Sequence, residues 1–331
     1  MPKNYLVTGG SGFLGASLVS SLVTSGHNVR VLDNNSRGHL RRLAHISSDI
    51  DFVHGDIRDL QTTLAASKNI DCICHLAYVN GTEYFYSRPE LVLDVAVRGM
   101  LNIADACRQL DIGHLVLASS SEVYQTPPVF PTPEDVPLVV PDVSNPRYSY
   151  GGGKILCELM ALNSVSNASH RVSIFRPHNV YGPDMGWEHV IPQFALRANE
   201  LISHDSTQLQ FAIKGDGTQT RSFVYISDFT EGLLHVINHG EHKSIYNIGT
   251  SEEVSIADLA RQVVEYFGCE AQIVSSSAPS GETNRRCPDI TKLINLGYRP
   301  RIKLAEGLRS TIDWYVNNTH LKPSITNSPF S

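Results

Sequence analysis

An α/β fold of Rossmann type, a doubly wound parallel sheet with a smaller C-terminal α/β substrate lobe, is predicted by three observations. Through the first 180 residues, short runs rich in β-branched residues alternate with amphipathic stretches, an order that places helices on both faces of a parallel sheet. A glycine-rich turn, TGGSGFLG at 8–15, follows the first run and opens the first helical stretch. After about residue 180 the pattern becomes mixed. The 331 residues suffice for two lobes, which we place at 1–178 (a dinucleotide-binding domain) and 179–331 (a substrate-binding lobe), with some later segments rejoining the first sheet.

In chain order, strands are expected at NYLVTG (4–9), NVRVLD (28–33), IDFVHG (50–55), IDCICHLA (70–77), HLVLASS (114–120) and RVSIFRP (171–177). Amphipathic helices are expected at 14–25, 87–110 and 148–168, from apolar residues recurring every three to four positions. The second half reads as a helix near 189–200, strands near 210 and 222, and helices near 228–239, 255–267 and 303–317. The tail HLKPSITNSPFS is polar and expected to fray. Between the fifth strand and the helix at 148, the stretch 125–147 carries seven prolines. It cannot form a continuous helix or central strand, and a connection this long points to a wall or lid over a site.

Composition narrows the function. A net charge of −6 leaves no basic footprint for nucleic acid. No apolar run approaches the roughly 20 residues that span a bilayer, and the N-terminus has no secretory pattern. The six cysteines are scattered. Cys72 and Cys74 alternate within one expected strand, with no further ligands at metal-binding spacing, so core packing in a reducing, cytoplasmic setting is expected and no metal.

The glycine turn carries the first chemistry. Gly9, Gly12 and Gly15 allow a tight turn and let backbone amides approach a pyrophosphate at a helix N-terminus. Asp33 closes the second strand, where a carboxylate accepts hydrogen bonds from ribose hydroxyls and repels a 2′-phosphate, which favours NAD over NADP. Arg37 nearby weakens that preference slightly.

The second chemistry lies in YSYGGGK (148–154). Tyr150 and Lys154, four residues apart on a helix, share one face, whereas Tyr148 projects elsewhere. A nearby ammonium favours phenolate and lowers a tyrosine pKa, so that the phenol can take a proton from a sugar or alcohol hydroxyl. Between the two stand three glycines, each costing about 1 kcal/mol relative to alanine in a helix interior. Close approach of a ring or a neighbouring strand would account for them.

Taken in order, TGGSGFLG, ASSSEVY (118–124), YGGGK (150–154), RPHNVYGP (176–183) and RSFVYISD (221–228) resemble the extended short-chain dehydrogenase/reductases that act on nucleotide sugars. The resemblance runs from Tyr5 to about Tyr315. It implies a cofactor set of Gly9, Gly12, Phe13, Leu14, Gly15, Asp33, Asn34, Ser36, Asp56, Ile57, Leu76, Ala77, Tyr150, Lys154, Pro177 and His178. It implies a catalytic set of Tyr150, Lys154, Ser120 and Glu122, with Ser120 orienting the reacting hydroxyl. Ser121, Asn179, Arg221 and Arg286 are the substrate contacts, the arginines facing phosphates.

The same resemblance implies NAD-dependent C4 epimerisation through a 4-keto sugar, with decarboxylation or dehydration through Glu122 as the alternative and a non-catalytic NAD-binding module as a third reading. Ser121 stands where 4,6-dehydratases carry aspartate, which argues against dehydration. Asn80, Ala96 and Gln125 depart from the galactose-epimerase pattern, where lysine, asparagine and glycine are usual. A homodimer is expected through the helices at 87–110 and 148–168, using Leu91, Val95, Met100, Leu156, Leu159 and Met160.

Overall fold

The computed structural model describes residues 1–165, 170–202, 208–276 and 283–323. The expected helix tail at 166–168 and the end of the chain beyond 323 lie outside the described residues. The strands are β1 (Asn4–Thr8), β2 (Asn28–Asp33), β3 (Ile50–His54), β4 (Cys72–His75), β5 (His114–Ala118) and β6 (Arg171–Pro177). They are followed by β7 (Val180–Tyr181), β8 (Gln208–Lys214), β9 (Thr220–Ser222), β10 (Val224–Tyr225), β11 (Ser244–Ile248), β12 (Glu253–Ser255), β13 (Glu270–Ser276) and β14 (Arg285–Arg286).

The helices are α1 (Phe13–Thr24), α2 (Leu60–Ala66), α3 (Thr82–Ser87), α4 (Pro89–Gln109), α5 (Ser149–Ser164), α6 (Val190–Leu201), α7 (Ile226–His239), α8 (Ile256–Tyr266), α9 (Thr291–Asn295) and α10 (Leu304–Asn317).

Seven parallel strands form the main sheet in the order β3-β2-β1-β4-β5-β6-β11. Period-2 alternation divides each strand between two cores. Tyr5 and Val7, Cys72 and Cys74, Val116 and Ala118 face the layer of α1 and α7. Leu6, Ile73, Leu115 and Leu117 face the layer of α4 and α5. Burial on both faces is the reason these strands read as continuous apolar runs.

A third core gathers Trp187, Phe194 and Phe211 with residues of α8 and α10. Residue 178 is not a clean division, because β11 pairs with β6 and Phe229, Leu233 and Ile248 pack into the core of the sheet.

Strand order reverses between β1 and β4, which opens a crevice at their C-terminal ends. The proline-rich stretch is anchored over its first half: Thr132 exchanges backbone hydrogen bonds with Cys287 and Asp289 at 2.8 and 2.9 Å. The Glu134 carboxylate accepts the Asn247 amide at 2.8 Å. The second half is open, with Val143 92% exposed. Among the described residues, no helix is long and apolar enough to cross a membrane.

Candidate active site

The crevice is built first by glycine. Gly9 has φ +72°, and a Cβ there would lie 2.7 Å from the Ala77 backbone, so the end of β1 and the chain leaving β4 touch without side chains between them. Gly12 caps α1 with extended backbone and Phe13 opens the helix. Leu14 packs on the core. Leu76 and Ala77 are fixed by Thr8, whose carbonyl accepts the Leu76 amide at 3.1 Å and whose hydroxyl accepts the Ala77 amide at 3.3 Å.

Asp33 accepts the Ser11 amide at 2.9 Å through one oxygen and the Asn35 amide at 2.8 Å through the other. Each oxygen keeps lone-pair capacity for a ribose hydroxyl. Ser36 donates its amide to the Asn34 side chain at 3.0 Å, and Asn34 donates to Asp56 at 3.1 Å. Burial opposes ionisation of Asp56, but hydrogen bonds from Arg58 outweigh it and hold the carboxyl below its usual range. The Ile57 carbonyl accepts Asn102 at 2.8 Å. Arg37 lies over the Tyr84 ring at 4.7 Å. These groups fit a dinucleotide: a turn open to a pyrophosphate, a carboxylate with spare acceptors, and a polar rim beyond it.

At the C-terminal end of β5, Ser120 caps a single 3-10 turn, Ser121–Tyr124, by accepting the Glu122 amide at 3.1 Å. The turn buries Ser121. Tyr150 stands in the first turn of α5, and Ser120 is the hydrogen-bonding group that favours its phenolate. Burial pushes the Tyr150 phenol up to about 12; the Ser120 bond and the Arg286 charge pull it down, and the Glu122 charge adds to the rise. The Lys154 ammonium, expected to lower it, is not among the groups that act on it most strongly. Lys154 instead donates to the Ala118 carbonyl at 2.8 Å and holds its ammonium 3.8 Å from the Tyr78 ring centroid, against 5.9 Å for the Tyr150 ring. Burial brings Lys154 down to about 8. Spacing on a helix put both side chains on one face, as expected, but the lysine is aimed by its neighbours.

Glu122 sits among arginines. Arg286 pairs with it at 2.5 Å and Arg147 at 3.7 Å. Burial would raise the Glu122 pKa, but Arg286, then Arg147 and Arg221, hold it below its usual range. Arg286, expected on a phosphate, thus contacts a carboxylate. Arg221 donates to the Thr220 carbonyl at 2.8 Å. Asn179, at φ +39°, donates to the Ser222 carbonyl at 3.0 Å. Pro177 ends β6, and buried His178 contacts Asn247 at 3.1 Å through Nε2. Burial lowers the His178 pKa to about 3, so it is neutral, and its Nδ1 has no hydrogen-bond partner among the described residues.

Several contributors escaped the sequence reading. Tyr78 and Phe85 flank the Tyr150 ring, one edge-on at 5.1 Å and one stacked at 4.8 Å. Beneath them Arg176, wholly buried, pairs with Glu158 at 2.7 Å and donates to the Tyr124 hydroxyl at 2.8 Å and the Glu134 carbonyl at 2.9 Å. Ser119 also donates to Glu158. The position of Glu158 four residues after Lys154 was the one available signal.

The model of a family described as NAD dependent epimerase/dehydratase matches residues 5–249. A putative UDP-glucose 4-epimerase of Methanocaldococcus jannaschii is 30% identical over 317 residues, covering 95% of this chain and 98% of that one. The UDP-glucuronic acid decarboxylase 1 of Xenopus tropicalis is 31% identical over 319 residues, covering 95% and 72%. The crystal structure of a dTDP-glucose 4,6-dehydratase from Streptomyces venezuelae, with NAD bound, superposes with a TM-score of 0.83 at 28% identity, covering 96% of this chain and 98% of that one. With its glycine turn, its Tyr150–Ser120 pair and a match running through most of its length, the chain belongs to the NAD-dependent epimerase/dehydratase family.

Proposed function

We propose that this protein is a nucleotide-sugar epimerase acting at C4. One observation carries the reading: Tyr150 is buried with Ser120 at hand to favour its phenolate, while the carboxylate beside it, Glu122, is held ionised by Arg286. We take Tyr150 and Ser120 as the proton-transfer pair; the adjacent carboxylate, ionised, is a poor donor for the expulsion of water.

NAD, held between the glycine turn and Asp33, supplies a hydride acceptor that also returns the hydride. Ser120 orients the C4 hydroxyl, and Tyr150 takes its proton. Tyr150 carries its own proton in the resting protein, so it acts as a base in the minor fraction that has already released that proton to solvent. After the flat 4-keto sugar turns over, Tyr150 returns a proton to the oxygen. The proton count over a turnover is zero. Lys154 keeps a positive charge beside the reacting groups, and Arg221 and Asn179 hold the nucleotide-sugar end.

A second reading, decarboxylation of a nucleotide-linked uronic acid after the same oxidation, is favoured by the grouping of Arg147, Arg221 and Arg286, an excess of positive charge around Glu122. Incubation with NAD and a panel of UDP- and dTDP-sugars, followed by mass spectrometry and proton NMR, separates the two. Epimerisation keeps the substrate mass and inverts the C4 proton coupling. Loss of carbon dioxide from a uronic acid supports the second reading, and an unchanged panel overturns both.

The assembly proposed with this activity is a homodimer through α4 and α5. The seam differs from the expected one. Leu91, Val95 and Met100 are buried within the chain. The exposed apolar side chains are Leu93 and Leu101 on α4 and Leu156 and Leu159 on α5, with Leu159 55% exposed. A second copy covering these four side chains is the contact we propose.

A further inference from the structure

Tyr78 comes next after Ala77 in the chain leaving β4, at the crevice that Gly9 and Ala77 define. Its ring centroid is 3.8 Å from the Lys154 ammonium and 5.1 Å from the Tyr150 ring, which it meets edge-on. Its hydroxyl donates to the Tyr150 carbonyl at 3.4 Å. One side chain therefore touches both members of the reactive pair. The room for it comes from the glycine run: a Cβ on Gly153 would collide with the Tyr78 hydroxyl. Gly151 is explained in a parallel way, since a Cβ there would lie 2.7 Å from the Gln125 side chain and 3.1 Å from the Glu122 carbonyl. At Gly152 the nearest atom would be 3.5 Å away, an ordinary contact.

We propose that Tyr78 is a positioning residue for Lys154 and Tyr150, and that Gly153 is glycine because Tyr78 occupies the space a side chain would need. The ammonium has three donors. One is spent on the Ala118 carbonyl, and the aromatic face holds the head group against swinging toward solvent. A cation over a tyrosine face is attracted by the ring quadrupole, most strongly where water is excluded, and Lys154 is buried. The inference rests on Tyr150 and Lys154 being the reactive pair, and its test separates the two questions.

The test compares Tyr78→Phe, Tyr78→Leu, Gly153→Ala and the double variant Gly153→Ala/Tyr78→Phe, with Gly152→Ala as a control. Proton–carbon NMR of the protein follows the Lys154 ε-methylene, assigned by its loss in Lys154→Met. Ring-current shielding is expected in the native protein and in Tyr78→Phe and is expected to vanish in Tyr78→Leu; an unmoved signal in Tyr78→Leu overturns the contact. Gly153→Ala should lower the melting temperature clearly in the native background and much less beside Tyr78→Phe. Additive effects overturn the Gly153–Tyr78 pairing. Where turnover is measurable, Tyr78→Leu should lower kcat roughly tenfold with little change in KM for the sugar, while Tyr78→Phe stays close to native. A lower melting temperature with native kcat would reduce Tyr78 to a packing residue and overturn positioning. Absence of turnover in the native protein sinks the proposed activity, while the NMR and melting results still decide the placement of Tyr78.

Discussion

Arg286 and Glu122 are 164 residues apart in the chain and form an ion pair of 2.5 Å at the C-terminal end of β5, their side chains 11% and 23% exposed. Arg286→Ala leaves the carboxylate with the more distant Arg147, and burial then acts against its charge. At neutral pH we expect a loss of stability on the order of 1–3 kcal/mol. The Glu122 pKa is depressed in the folded protein, so its contribution is present above the unfolded value and is lost as pH falls through the folded one. Urea unfolding should therefore give native and variant curves that converge in acid. A gap that persists unchanged into acid would reject the pair as its source.

A second expectation follows from Tyr150 at about 12 and Lys154 at about 8. The productive state, phenolate beside ammonium, is a minor one. Below pH 8 its population rises with pH, because only the phenol must lose a proton. Above 8 the lysine also deprotonates, and the two effects cancel. The value of kcat/KM should thus climb with pH and level off near 8, and an optimum on the acid side of neutrality would contradict the assignment. For folding the sign is separate: the lowered Lys154 value is a penalty that is relieved as pH rises from 8 toward the unfolded 10.5.

Replacement of Tyr150 by Phe keeps the ring contacts with Phe85 and Tyr78 and removes the hydroxyl. Turnover should fall by roughly 10²–10⁴, the usual contribution of a general base, with NAD binding nearly intact by calorimetry. Tyr148→Phe should be close to silent, and an equal loss there would identify the wrong tyrosine.

Asp33→Ala removes both the ribose acceptor and the charge that repels a 2′-phosphate. Calorimetric titration should show weaker NAD binding and a narrower preference over NADP. Part of the loss belongs to the Ser11 and Asn35 amides, which lose their acceptor as well. Unchanged affinities for both cofactors would exclude the role.

Leu159→Asp places a charge on the exposed α5 face. Light scattering should show dimers in the native protein and monomers of about half the mass in the variant, with an unchanged melting profile after allowance for dissociation. A native mass of 36.5 kDa at micromolar concentration would reject the dimer.

The first six strands and the long helices were legible because apolar periodicity and turn residues act locally. β11 was not, since SIYNI (244–248) declares its place only through pairing with β6. At the site, the glycine turn, Asp33 and the Tyr150–Ser120 contact follow from motif and register. The direction of Lys154 does not, because it is set by Tyr78, more than 70 residues away in sequence. The partner of Arg286 was hidden for the same reason. Gln125 illustrates a legible departure with an unreadable remedy: it holds φ +51° where the family usually has glycine, and Gly151 supplies the missing room.

Arg176 has a further consequence, for the way the molecule comes apart. Its guanidinium is wholly buried, and its partners come from α5, from the turn after β5 and from the proline-rich stretch, which is tied in turn to β11 through Glu134 and Asn247. Release of α5 would strip the guanidinium of its counter-charge, and release of either other segment would cost this buried group a hydrogen bond. The segments should therefore open together. In native-state hydrogen exchange, the amides of Asn247 and the buried strands beside it should share a single opening free energy, while the exposed stretch around Val143 exchanges freely. What looks along the chain like a long loose connection is, over its first half, part of the cooperative unit.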